Sequence, residues 1–174
     1  MPRAPRTLTT MAALAPVVLH RKRVKASTAA RALSGVPDEY FNGLCERERN
    51  RAGTTGAYVS FVSDRRQYLV GADGLPDGAQ DPQGMALAKS FSVFVLASGQ
   101  PMVVDDTHAH PELEACASAA DSAAWVGVPI RFEEEAIGTV GLLDLEPRDW
   151  PLSVLAPLKD AALEITTELE RRAS

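Results

Sequence analysis

Apolar residues recur along this chain with two different periods. Between Asp38 and Gly53, Tyr40, Phe41, Leu44 and Cys45 fall on one helical face, and the run Glu46–Arg51 supplies the polar side. Gly53 suits the left-handed stop of such a helix. "GAYVSFV" (56–62) and "QYLVGA" (67–72) are rich in strand formers and flank the turn Ser63–Arg66, which predicts a hairpin. "LPDGAQDPQG" (75–84) reads as a loop. Met85, Ala88, Phe91 and Val95 return to helical spacing and predict a helix over 85–98, ended by Gly99 and Pro101. "PMVVD" (101–105) then reads as a short strand, and "PELEACASAA" (111–120) as a short helix opened by proline. "AAWVGVPIRF" (123–132) and "AIGTVGLLDL" (136–145) predict two more strands around the acidic turn Glu133–Glu135. A final helix spans 153–172, with Pro157 in its first turn.

Hairpins of antiparallel strands with helices gathered outside them predict an α+β domain around a central antiparallel sheet. The chain has 174 residues, enough for one core of its own. Charge divides it. The formal net charge is -5, yet residues 1–37 carry Arg3, Arg6, Arg21, Lys22, Arg23, Lys25 and Arg31 and no acid. Residues 1–36 therefore read as a basic, solvated and disordered arm, and 37–174 as the folded domain. "MAALAPVVL" (11–19) resembles a short secretion signal, but Pro16 interrupts it and His20–Arg23 stand where cleavage should occur. It is also shorter than the roughly 20 residues that span a bilayer. The arm has no aromatic residue to stack on a base. A cytoplasmic protein with neither a membrane nor a nucleic-acid partner is the expectation.

Candidate chemistry is sparse. Cys45 and Cys116 are too few and too distant for a disulfide framework or a zinc site, and they are expected to be unlinked. His108 and His110 lie two apart in a loop, with no third ligand at metal spacing. No phosphate-binding glycine loop and no nucleophile–base array appears, so no catalytic residue, metal or cofactor is assigned.

Three stretches in register resemble GAF domains: "AYVSFVSDRRQYLVGADGLP", "SFSVFVLASGQPMVVDDTHAHPEL" and "GVPIRFEEEAIGTVGLLDLEPRDW". The resemblance covers about Asp38 to Glu170. It implies helices from both chain ends on one face of the sheet, and loops and helices of 75–121 covering a ligand pocket on the other. It also implies a sensory or regulatory module that binds a small molecule and signals to an effector protein or through its own dimer. Candidate pocket residues are Ser92, Asp105, Cys116 and Trp125. Asp105 has a competing role in capping the turn after its strand, and Trp125 a competing role as a core residue. Departures narrow the ligand. Many relatives have cysteine where Ser92 stands. Cys116 is followed by Ala117 rather than the histidine often found after a bilin-binding cysteine, and the Asn-Lys-Phe-Asp-Glu signature of cyclic-nucleotide relatives is absent. Lys89 is the only base between Ala72 and Asp121, so an uncharged or cationic ligand is expected.

Two alternatives stand beside the sensor. One is a thiol enzyme resembling free methionine-(R)-sulfoxide reductase, which would need a second thiol to resolve the oxidised first. The other is a purely structural dimerisation domain. Leu155, Leu158, Ala162, Ile165 and Leu169 repeat at heptad spacing, which suits a seam between two copies or the face packed on the chain's own sheet, and the latter must account for part of it. Because GAF domains often pair through their terminal helices, the resemblance implies a homodimer through the C-terminal helix.

Overall fold

The computed structural model describes residues 11–34 and 37–174. Six helices accompany six strands: α1 (Met11–Val18), α2 (Arg21–Ser34), α3 (Glu39–Ala52), β1 (Gly56–Val62), β2 (Arg66–Asp73), β3 (Met85–Ala86), α4 (Ser92–Ser98), β4 (Met102–Val104), α5 (Glu114–Ala120), β5 (Ala124–Phe132), β6 (Glu135–Asp144) and α6 (Leu155–Ala173). The strands form one sheet in the order β3-β2-β1-β6-β5-β4, antiparallel throughout. This is the α+β architecture expected from the pattern.

Strand alternation sorts residues between the two faces. Ala57, Val59 and Phe61 of β1, with Val126, Val128 and Ile130 of β5, pack against α2, α3 and α6. Tyr58 of β1 and Trp125 of β5 point the other way and join α4 and α5. The helix layer sits close to the sheet. At Gly71 of β2 an added Cβ would lie 2.5 Å from Phe41 Cβ and 2.6 Å from its carbonyl carbon, so only glycine lets α3 cross there.

Helix ends follow their sequence signals. The Asp38 side chain accepts the Tyr40 N–H (2.9 Å), and Gly53 closes α3 in the left-handed region. The Asp38 carboxylate also pairs with Arg172 at the far end of α6 (2.6 Å). Gly99 ends α4 at φ +66°, its N–H donating to Val95 O (2.8 Å). That left-handed stop lets β4 begin three residues later.

Three readings change. The helix expected over 85–98 begins only at Ser92. Met85 and Ala86 instead pair with Gln67 and Arg66 as an edge strand, and a 3₁₀ turn (Leu87–Lys89) follows. Ser90 Oγ donates to Gln67 Oε1 (2.6 Å), fixing this segment to the sheet before the helix starts.

Met11–Val18 and Arg21–Ser34, read as part of a disordered arm, are helical, with Val18, Ala26 and Ala30 buried; residues 1–10, 35 and 36 lie outside the described residues. Ala26 and Ala30 form a narrow small-residue stripe that lets α2 approach the sheet closely. Between them, Ser27 donates to Val62 O. Arg23 is buried, and its guanidinium donates to Val18 O, Val62 O (2.8 Å) and Ser63 O (3.0 Å). Burial draws this guanidinium down to about 10, against the opposing pull of Glu135 and Asp64. A basic residue that suggests solvent in the sequence thus closes the end of β1.

The heptad stripe of α6 is its inward face. Leu158, Ala162, Ile165 and Leu169 are buried on the chain's own sheet, and Leu155 packs against them. This stripe therefore cannot serve as a dimer seam. The outward face of α6 presents Leu163, 67% exposed. No described helix is long and apolar enough to cross a membrane.

Candidate functional site

On the face opposite the long helices, the chain from Leu75 to Lys89 arches over β1, β2 and β6 and borders a partly open cavity of about 510 Å³. Tyr58, Gln67, Leu69 and Leu143 form its floor, Leu75, Asp77, Met85 and Phe91 its cover, and Ala119 and Ala120 at the end of α5 close one side. The volume is in the range of small-molecule sites.

The site has a rigid back wall. Phe91 stacks on Trp125, with ring centroids 4.9 Å apart and planes 13° from parallel. Trp125 Nε1 donates to the Tyr58 hydroxyl (2.8 Å). The Ser92 hydroxyl also bonds to Tyr58, and Ser92 Oγ lies 3.0 Å from Ser60 Oγ. Burial is the main reason the Tyr58 phenol titrates well above its ordinary value, with the bonds to Ser92 and Trp125 opposing it. Tyr58 therefore remains a neutral hydroxyl bordering the cavity. Such a satisfied buried network holds one rotamer for each member.

Of the four residues singled out from the sequence, three meet here, though none lines the open volume. Ser92 and Trp125 bind the Tyr58 hydroxyl from behind. Cys116 belongs to the same buried cluster, its Sγ directed to Ala88 O (3.9 Å). Asp105 lies elsewhere. Its carbonyl accepts the Arg148 N–H (2.8 Å) and its carboxylate the Trp150 N–H (3.3 Å), so it fastens the 146–150 segment to the end of β4. The capping is done by its neighbour Asp106, which accepts the His108 N–H (2.9 Å).

Arg66 and Gln67 are the lining residues the sequence reading missed, whereas the 75–79 loop falls within the 75–121 cover it expected. Arg66 sits in what reads as the hairpin turn, but it begins β2 and borders the cavity beside β3. The count of bases over 72–121 found only Lys89. Lys89 does line the cavity, and Arg66 joins it from the sheet. The available signal was the adjacency of "DRR" to a strand whose next residue, Gln67, is polar but buried.

The thiols are not arranged for chemistry with each other. Cys45 belongs to the helix-layer core and Cys116 to the cluster on the opposite face, and both are free and buried. Burial pushes the Cys116 thiol up to about 12 and raises Cys45 strongly. No group of three metal-ligating side chains is gathered among the described residues.

Residues 37–169 match the family described as the GAF domain. The chain belongs to the GAF domain family. The start of that match coincides with the point where the basic segment gives way to α3. Among solved structures, the GAF domain of a phosphoenolpyruvate-protein phosphotransferase from Acinetobacter superposes with a TM-score of 0.66 at 10% identity, covering 91% of this chain and 94% of that one. The corresponding GAF domain from Coxiella burnetii gives 0.66 at 16%, covering 90% and 95%. A type II free methionine-R-sulfoxide reductase from Thermoplasma acidophilum gives 0.63 at 14%, covering 84% and 96%. No curated protein matches. At these identities the likeness concerns the fold; the regulatory association belongs to the GAF family.

Proposed function

We propose that this GAF domain is a cytoplasmic sensory module that binds a small molecule between its sheet and the 75–89 cover and transmits occupancy to an effector protein or a second copy of itself. The observation that carries this reading is the cavity itself. It is walled by a locked aromatic network on one side and covered by an irregular loop on the other. A cover built of loop, two-residue strand and 3₁₀ turn has few interactions of its own, so a ligand can reposition it at small cost. Phe91 lies on the cavity and immediately precedes α4, which gives the cover a direct link to the rest of that face.

Thiol reduction finds less support, because the two sulfurs lie on opposite faces of the sheet and outside the cavity lining. Self-association through α6 would use the outward face around Leu163. Native mass spectrometry of freshly purified protein tests the binding reading. A bound small molecule retained by the wild type and lost from Ala120→Trp, which fills the cavity, is the expected outcome. Identical retention by both proteins would refute the site.

A further inference from the structure

The charges around the cavity fall into two classes. Lys89, Asp77 and Asp81 line it but are exposed to solvent, as a rim would be. Arg66 is partly buried. Its Nη2 donates to Gly84 O (2.9 Å), and its Nε is inaccessible and has no hydrogen-bond partner. None of the ion pairs among the described residues involves Arg66 or Lys89. Asp81, in the turn beside Gly84, uses Oδ1 to accept the Gln83 N–H (2.8 Å). After the bond to Gly84 the terminal nitrogens of this partly buried, cavity-lining guanidinium keep donors that an anion in the cavity can use.

We propose that Arg66 is the anchor of a carboxylate site and that the ligand is a small monocarboxylate with an apolar body. The inference rests on the cavity being a ligand site, as proposed above. Arg66 presents a planar fork, which matches a carboxylate in two bonds where a lysine offers a point charge. Lys89 borders the same side, because the 3₁₀ turn that carries it directly follows the β3 residues paired with Arg66 and Gln67. The remainder of the lining supplies the apolar complement: Leu69, Leu75, Phe91 and Leu143, with the neutral Tyr58 ring. The cavity thus carries Arg66 and Lys89 at its β2–β3 side and apolar side chains over most of the rest, with the exposed carboxylates of Asp77 and Asp81 at its rim. A monocarboxylate departs from the sequence-based expectation of an uncharged or cationic ligand.

The test pairs acids with their amides. Phenylacetate and hexanoate are titrated against phenylacetamide and hexanamide, with calorimetry and the indole N–H resonance of Trp125 as readouts. Trp125 stacks on cavity-lining Phe91, whereas the chain's other tryptophan, Trp150, packs with the helix layer and serves as an internal control. At least one acid is expected to bind saturably and about tenfold or more tighter than its amide. Arg66→Gln should remove that preference, Arg66→Lys should recover part of it, and thermal unfolding of both variants confirms that they fold. Amides that bind as tightly as acids, with both shifting Trp125, would overturn the carboxylate assignment and leave the pocket reading standing. An acid preference unchanged in Arg66→Gln would overturn the role of Arg66. No binding by acids or amides would overturn the monocarboxylate assignment, and the retained-ligand comparison of wild type with Ala120→Trp then decides the pocket reading separately.

Discussion

The two faces of the sheet are built from the same strands yet packed for different ends. On the helix-layer face, α2, α3 and α6 bury a continuous apolar core including Phe41, Phe61, Ile137, Leu158 and Ile165, all essentially inaccessible. On the other face, apolar packing surrounds a set of bonded hydroxyls and one indole N–H, and part of the surface is left uncovered as a cavity. Long helices can fill the first face because each offers a periodic apolar stripe. Short pieces with tight turns cover the second and cannot fill it. Stability concentrated on one face permits an unfilled site on the other.

The largest expected effect breaks the first face. Leu169 is fully buried against the sheet, so Leu169→Glu places a carboxylate in the apolar core. The loss exceeds the 2–5 kcal/mol or so of a large-to-alanine truncation, because burying the charge adds to it. The variant should be unfolded or expressed insoluble, whereas Leu163→Glu on the exposed side of the same helix should melt within a few degrees of wild type. Circular dichroism melting curves separate the two. A folded Leu169→Glu protein would show that α6 does not hold the core as described.

That pair of substitutions also marks what could be read in advance. The heptad stripe was visible, but a single five-turn helix shows the same spacing whether it faces its own sheet or a partner. Strands β1, β2, β4, β5 and β6 were legible because alternation, β-branched residues and turn signals agreed. Strand β3 was not, since two residues carry no period and its pairing depends on the distant Gln67. Three of the candidate pocket residues, Ser92, Cys116 and Trp125, lie near one another, Ser92 and Trp125 being polar or bulky exceptions in their elements. They form the wall behind the cavity rather than its lining. Arg66 and Arg23 escaped notice for one reason. A charged residue in a turn or a basic segment suggests solvent, and only the fold reveals which backbone carbonyls it meets.

Arg23 belongs to the segment that touches both faces: α1 packs near α4, and α2 packs against β6 and α6. Arg23→Ala removes donors from the carbonyls of Val62 and Ser63, at about 2 kcal/mol of stability. Urea unfolding should show that loss. Hydrogen exchange should show it first in α2, with α3 keeping its protection. An unchanged midpoint would mean that water replaces the guanidinium without cost.

Tyr58→Phe probes the second face. It deletes the acceptor of Trp125 Nε1 while preserving the ring that borders the cavity. A buried N–H left without a partner costs about 1–3 kcal/mol. The Trp125 indole N–H signal should move upfield, the Trp150 signal should stay, and stability should fall by less than for Arg23→Ala if the remaining hydroxyls rearrange. An unmoved Trp125 signal would contradict the network.

The smallest effect lies at the outer edge of the first face and depends on pH. Burial alone would raise the Asp38 carboxyl, but the hydrogen bond and charge of Arg172, with the N–H groups of Tyr40 and Phe41, hold it below its ordinary value. A carboxyl depressed in the folded state contributes stability that is complete above its unfolded pKa, about 3.9, and is lost as pH falls from there through the lower folded value. Asp38→Asn keeps an N-cap acceptor for Tyr40 but loses the charge facing Arg172. It should cost about 1 kcal/mol near neutral pH, as a partly buried ion pair does. Chemical unfolding across pH 2–7 should show the wild-type and Asp38→Asn curves separated by a constant amount above about pH 5 and converging below about pH 4. Curves that remain parallel to the acid end would mean that the Asp38–Arg172 pair adds nothing to the clasp between the start of α3 and the end of α6.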